Sequence, residues 1–386
     1  MSEILIDITR LLGQALEGKL PTGVDRVTLA YVAHFRDQAK ALVRYGARWL
    51  ILDASDSKRI FDTLLTPTPR SSWVIRWRIG INYWLRWQHH KEPALLFNLN
   101  HSGLDQPSYA REIVRRKWKP YFFLHDLIPI THPEYNRPDE AKKHQKRLQT
   151  MLSTGYGIIV NSQVTENDVR TFVHDHHLSL PPCLCASLAP ATLPPPSPRR
   201  PLEKPYFVVI GTIEPRKNHL LLLKIWRELV QELGANTPQL VIIGRRGWEC
   251  EQVVDMLERC AQIQPYIIEK SNCEDAELAT WLAHARALLF PSFVEGYGIP
   301  LVESLMLGVP VIASDLPVFR EFAYYIPEYI HPLDAMTWKR MILAYAADDS
   351  PEHAAQKQRL QGYTQTSWEE HFVKVETFMH TLGETV

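Results

Sequence analysis

The feature that most constrains this chain is an alternation that occurs twice: short runs rich in β-branched and aromatic residues, each followed by a longer amphipathic stretch. In the first half, residues 4–8, 95–98, 121–124 and 158–160 read as buried strands, with helix-length segments between them. In the second half the runs are residues 206–210, 240–243, 266–268, 287–290 and 309–313, each with a helical pattern after it. Parallel neighbours need a crossover connection, so this order predicts parallel sheets covered on both faces. The expected fold class is α/β, with two doubly wound parallel-sheet domains.

The boundary between the two series is marked by Pro190, Pro194, Pro195, Pro196, Pro198, Pro201 and Pro205, which remove backbone donors and favour an extended connection. A linker is therefore expected at residues 190–205, between a first domain at 1–189 and a second at 206–366. The segment 367–382 has Trp368, Phe372, Val375 and Phe378 at helical spacing and predicts an amphipathic terminal helix. A length of 386 residues suits two domains, and 45% hydrophobic with 22% charged residues excludes a disordered composition. Lys plus Arg equals Asp plus Glu at 43 each, so the overall field does not recruit a nucleic acid. Five scattered cysteines, Cys183, Cys185, Cys250, Cys260 and Cys273, fit reduced thiols rather than a disulfide framework. With no signal-type start and no spanning apolar run, the expectation is a cytoplasmic protein.

Two segments carry candidate chemistry. G-T-I-E-P-R-K-N-H, residues 211–219, follows the first strand of the second series and leads into a leucine-rich helical run, with Asn218 as the expected N-cap. Gly211 allows a tight turn, and Arg216 with Lys217 sets two cations where a helix N-terminus also points, which outlines a diphosphate site. A solvated Arg-Lys pair at an ordinary turn is the competing reading. P-S-F-V-E-G-Y-G-I-P-L-V-E, residues 291–303, follows an apolar strand. Gly296 and Gly298 permit a tight loop and Pro300 suits a first helical turn, leaving N–H groups near Gly298, Ile299 and Leu301 to meet an anion. Glu295 and Glu303 can then face one ligand and accept hydrogen bonds from sugar hydroxyls. Alternatively, Glu303 is a surface acid complementing the helix dipole and Glu295 a turn residue.

In this order and spacing the two segments resemble the hallmark motifs of the retaining group 1 glycosyltransferases of family 4, whose E-x7-E pattern is matched by Glu295 and Glu303. The likeness extends to V-I-I-G at residues 241–244, A-S-D-L-P-V-F-R-E at 313–321, I-V-N-S at 159–162, T-G-V-D-R-V at 22–27 and H-D-L-I-P at 125–129. The resemblance implies the GT-B fold, two Rossmann-like domains facing a central cleft, with the terminal helix crossing back to the first. It implies His125, Glu295, Arg216 and Lys217 as the catalytic group. It adds Gly23, Gly211, Gly244, Gly298, Ile299, Pro300, Leu301 and Glu303 as donor-binding positions, with Glu303 on the ribose. His125 also suits a satisfied histidine at a buried strand end, and Asp126 a turn residue.

The implied reaction is transfer of a hexose, with GDP-mannose the first candidate donor, to a glycan or lipid-linked acceptor in surface polysaccharide or lipopolysaccharide assembly. No metal or cofactor is expected, since fixed cations and N–H dipoles replace a divalent ion and the chain has no D-x-D pair. Rival readings are a GT-B sugar-nucleotide epimerase and a non-catalytic glycan-binding scaffold. Trp73, Trp77, Trp84 and Trp87 would share an arc of about 80° on a helix. With Arg70 and Arg76 beside them, they suit either docking on the inner face of the cytoplasmic membrane or packing in a core. His174, His176 and His177 before Cys183 and Cys185 match no common zinc spacing, and His89 with His90 reads as a polar loop.

Overall fold

The structure, a computed structural model, describes residues 3–45, 48–66, 93–191 and 193–384. The stretch bearing Arg70, Trp73, Arg76, Trp77, Trp84, Trp87, His89 and His90 lies outside the described residues. The chain divides into two compact units. Met1–Ile130, Asp139–Ala189 and Thr366–Val386 form the first, and Thr131–Pro138 with Pro190–Gln365 the second.

Among the described residues the first unit is built on seven strands: β1 (Glu3–Asp7), β2 (Ala39–Tyr45), β3 (Arg48–Ile51), β4 (Ala94–Asn98), β5 (Lys119–Leu124), β6 (Gly157–Val160) and β7 (Cys183–Cys185). Their order is β3-β2-β1-β4-β5-β6-β7. The sheet is not wholly parallel as expected: β3 runs antiparallel to β2, with Leu42 opposite Ile51 and Tyr45 opposite Arg48. Two residues separate these strands, enough for a hairpin and far too few for a crossover. One face of the sheet packs Leu96, Phe122 and Ile158 against Tyr109, Leu148 and Val169. On the other, Tyr31 of the helix Gly23–His34 meets Phe97 at 5.4 Å and Phe372 at 5.0 Å between ring centroids. Phe372 belongs to the terminal helix Trp368–Thr381, which opens with a Ser367–Glu370 capping box. Burying an aromatic or aliphatic side chain of this size contributes about 1.5–3 kcal/mol.

The second unit has six strands, β8 (Tyr206–Ile210), β9 (Gln239–Ile243), β10 (Ile267–Lys270), β11 (Leu288–Phe290), β12 (Val311–Ser314) and β13 (Glu328–Ile330), in the order β10-β9-β8-β11-β12-β13. Every pairing is parallel. Phe207, Val209, Leu240, Ile242 and Leu289 pack on Leu222 and Trp226 of the helix His219–Leu233 and on Trp338 and Ile342 of the helix Ala335–Ala346. The proline-rich stretch is tacked onto this unit, because Ser197 N–H donates to Thr280 Oγ1 at 3.0 Å and His284 Nε2 donates to Ser197 O at 2.8 Å. Among the described residues no helix is long and apolar enough to cross a membrane.

Candidate functional site

The carboxyl ends of β8, β9 and β11 lie side by side in the second sheet, so the loops that leave them converge. At the end of β8 Gly211 takes φ +142°, and a Cβ there would meet Lys217 Cε at 3.2 Å. A Cβ on Gly244, after β9, would fall 1.9 Å from Gly211 O, closer than any side chain permits. Gly244 is therefore required by the close approach of the Gly211 backbone, and Gly211 by its own positive φ and the Lys217 side chain that lies against it.

That turn meets the loop after β11. Lys217 Nζ lies 2.5 Å from Glu295 Oε1 and 4.9 Å over the Phe290 ring. Arg216 Nη1 donates to Glu295 Oε2 at 2.7 Å and to Val294 O at 3.3 Å, while its Nε stands 2.6 Å from Glu214 Oε1. Ser292 Oγ completes the clamp by donating to Glu295 Oε1 at 2.7 Å. The Glu295 side chain is 7% exposed and that of Lys217 10%, which sets aside the reading of a solvated Arg-Lys pair. Burial works to raise the Glu295 pKa, but Arg216 and Lys217 beside it prevail and hold it at about 2. Burial pushes the Glu214 carboxyl the other way, upward.

Two local expectations are corrected. Asn218 stands at the N-cap of the helix His219–Leu233 with φ +55°, but its side chain makes no cap; Nδ2 donates instead to Pro291 O at 3.2 Å and Pro332 O at 2.9 Å, tying together the loops after β11 and β13. The Leu301 N–H is not left for an anion, because Gly298 O accepts it at 2.9 Å. Pro300 has no N–H, so the expected donors at the start of the helix Ile299–Met306 reduce to Gly298 and Ile299. Gly298 itself has φ +104°, with a Cβ placed 2.6 Å from Phe319 Cε1. Glu303 is buried one turn into that helix, which removes the surface-acid reading.

His219 was not singled out in the sequence. It is 2% exposed, neither ring nitrogen has a hydrogen-bond partner among the described residues, and burial followed by the Lys217 charge lowers its pKa to about 3. Its place next to Lys217 in the R-K-N-H run is the one signal that could have found it.

Gly23 and His125 belong to the first unit. Gly23 begins a helix behind a Thr22–Asp25 capping box, and buried Asp25 pairs with Arg10 at 3.1 Å. His125 is buried at the end of β5, and its Nε2 donates to Leu99 O at 2.7 Å, so Nδ1 carries the lone pair. It is not alone. His101 and His144 complete a cluster, His101 lying 5.3 Å from His125 and 5.4 Å from His144 between ring centroids. The Nε2 atoms of His101 and His144 likewise donate to carbonyls, of Phe123 at 2.8 Å and Asp126 at 3.1 Å. Burial lowers the pKa of all three, so the rings are neutral.

The family model for the group 1 glycosyl transferases matches residues 195–324, the part of the chain that holds both the Arg216-Lys217 turn and the Glu295–Glu303 loop. The O-antigen chain mannosyltransferase B of Escherichia coli is 30% identical over 253 residues, covering 64% of this chain and 66% of that protein. The chain belongs to the group 1 glycosyltransferases. Among further relatives of this glycosyltransferase, the serotype-specific mannosyltransferase WbdA of Escherichia coli is 30% identical over 218 residues, 52% of the chain. That match spans 26% of WbdA, so about a quarter of the longer protein is represented. Among solved structures, Anabaena Alr3699/HepE in complex with UDP and glucose superposes with a TM-score of 0.67 over the full length of both chains at 13% identity. At that identity the likeness speaks for the fold, which is GT-B.

Proposed function

We propose that this glycosyltransferase moves a hexose, mannose first, from a nucleotide diphosphate sugar to a glycan or lipid-linked saccharide in surface polysaccharide assembly, with retention at the anomeric carbon and without a metal. One observation carries the reading: a single buried carboxylate, Glu295, holds the two cations Arg216 and Lys217 at the carboxyl edge of β8. Fixed in this way, the cations need little reorganisation when negative charge builds on a departing diphosphate, which is the condition for strong electrostatic stabilisation. The Gly298 and Ile299 N–H groups, at the start of the helix that follows the Glu295 loop, would add donors for the same anion. Mannose and the O-antigen context are supported by the mannosyltransferase relatives.

The test is a thermal-shift screen of the intact chain against UDP, GDP, ADP and dTDP, followed by transfer assays with the matching sugar nucleotides. A ligand at a hundred times its Kd should stabilise the fold by about 2.7 kcal/mol. GDP is expected to give the largest shift. No shift with any of the four, or a shift that survives Lys217→Ala undiminished, would sink the diphosphate reading. Release of a free or epimerised sugar without an acceptor would point to the epimerase instead.

A further inference from the structure

Thr131–Pro138 belongs to the second unit although the chain on either side of it belongs to the first. Its sequence, T-H-P-E-Y-N-R-P, reads as a polar connection, yet its side chains dock on two loops of the second sheet. The Tyr135 ring stacks on Phe293 with centroids 5.4 Å apart and planes 3° from parallel, and His132 lies parallel to Tyr135 at 6.1 Å. Trp248 Nε1 donates to Tyr135 O at 3.3 Å, and the Arg137 guanidinium sits 5.2 Å over the Trp248 ring. Phe293 is on the loop after β11 and Trp248 on the loop after β9. These strands flank β8, so the segment fastens the loops on both sides of the one that carries Arg216 and Lys217.

Phe293 is two residues from Glu295. Its N–H donates to Arg216 O at 2.8 Å, and its neighbours Ser292 and Val294 contact Glu295 and Arg216 respectively. Where the Phe293 ring is held therefore decides where the carboxylate can reach. Neither Tyr135 nor Phe293 is part of the unit's hydrophobic core, so what their stacking stabilises is the loop rather than the fold.

We propose that Tyr135 is a positioning residue: by stacking on Phe293 it holds residues 291–298 in the arrangement that lets Glu295 span Arg216 and Lys217. The proposal rests on the reading of that cluster as the diphosphate site. Loops without ladder hydrogen bonds open at low cost, and an aromatic pair adds a preference beyond the area it buries. The Trp248 and Arg137 contacts give the segment a second anchor.

The experiment is hydrogen exchange on the full chain, with steady-state kinetics beside it. Tyr135→Leu and Phe293→Leu should each speed amide exchange across residues 291–298 on the order of tenfold. Both should raise KM for GDP-mannose by a similar factor with little change in melting temperature. Tyr135→Phe, which keeps the ring, should restore both readouts. Unchanged exchange at residues 291–298 in Tyr135→Leu, or Tyr135→Phe as impaired as Tyr135→Leu, overturns the proposal. Should the wild-type chain turn over no sugar nucleotide, the transfer reading fails, while the exchange result still decides the role of Tyr135.

Discussion

The two units share an architecture but furnish the carboxyl ends of their strands differently. In the second, a carboxylate and two cations are locked together with little access to water. In the first, His101 and His125 follow β4 and β5 and His144 joins them from the helix Glu140–Thr154, three neutral imidazoles each with its tautomer set by a carbonyl. The sheet supplies a ledge in both cases, and the side chains set on it decide whether it handles charge or offers hydrogen bonds. Charge is present in both units but balanced differently: in the first, Asp7 pairs with Arg44 and Asp25 with Arg10, one acid to one base, whereas in the second a single carboxylate holds two cations.

The strongest way to break this comparison is to remove the charges. Lys217→Ala and Glu295→Ala should each lower sugar transfer at least ~100-fold, measured as initial rates at saturating donor. Near-normal rates would move the chemistry away from the second unit. Glu295→Ala also leaves buried Lys217 without its carboxylate while Arg216 keeps Glu214, which should cost about 3 kcal/mol, or roughly 6–12 °C in melting temperature for a unit of this size. Next in size is Gly244→Ala, whose new Cβ collides with the Gly211 backbone; a loss of about 3 kcal/mol in urea titration is expected.

Acid should separate the units more gently. His101, His125, His144 and His371 in the first unit, and His219 and His353 in the second, all have pKa values lowered chiefly by burial, to about 4 for His371 and about 3 for His219. A base depressed in the folded state binds its proton first in the unfolded chain, so stability falls as pH drops below the ordinary histidine value of about 6.5. Each such group contributes a slope approaching 1.4 kcal/mol per pH unit until its folded pKa is reached. Glu295 adds stability that is complete above the ordinary carboxylate range and is lost as pH falls toward about 2, a window that begins lower than that of the histidines and overlaps its acid end. Between pH 6.5 and 5 the first unit should therefore loosen faster, which hydrogen exchange resolved by unit will check. The smallest effect is Gly13→Ala in the helix Thr9–Leu16, where a Cβ meets nothing within 4 Å; a gain of about 0.5–1 kcal/mol is expected in the same titration.

Much of this was legible in the residues. β1, β4, β5, β6, β8, β9, β11 and β12 are largely apolar runs buried in the sheets, and such runs announce themselves, while the half-buried edge strand β10 shows only through Ile267 and Ile268. β2 escapes the pattern because Lys40 and Arg44 interrupt it, and Arg44 is buried through distant partners, Asp7 at 2.6 Å and 37 positions away and Ser102 at 2.7 Å and 58 positions away. β3, β7 and β13 are short and all lie at sheet edges, where half-buried Trp, Cys and Tyr carry no clear period. In the site, the pairing of Glu295 with Arg216 and Lys217 and the histidine cluster depend on contacts across long separations in the chain. The docking of Tyr135 on Phe293 bridges more than 150 positions and left no local trace.

The visit that Thr131–Pro138 makes to the second unit bears on any attempt to dissect the protein. A fragment cut at the proline-rich stretch would start after those eight residues and arrive without the ring that Phe293 rests on. A binding-competent half would have to receive the octapeptide separately or carry it grafted on. In an evolving lineage the same dependence would discourage swapping one half for a foreign one, since the incoming partner must bring a matching aromatic strap.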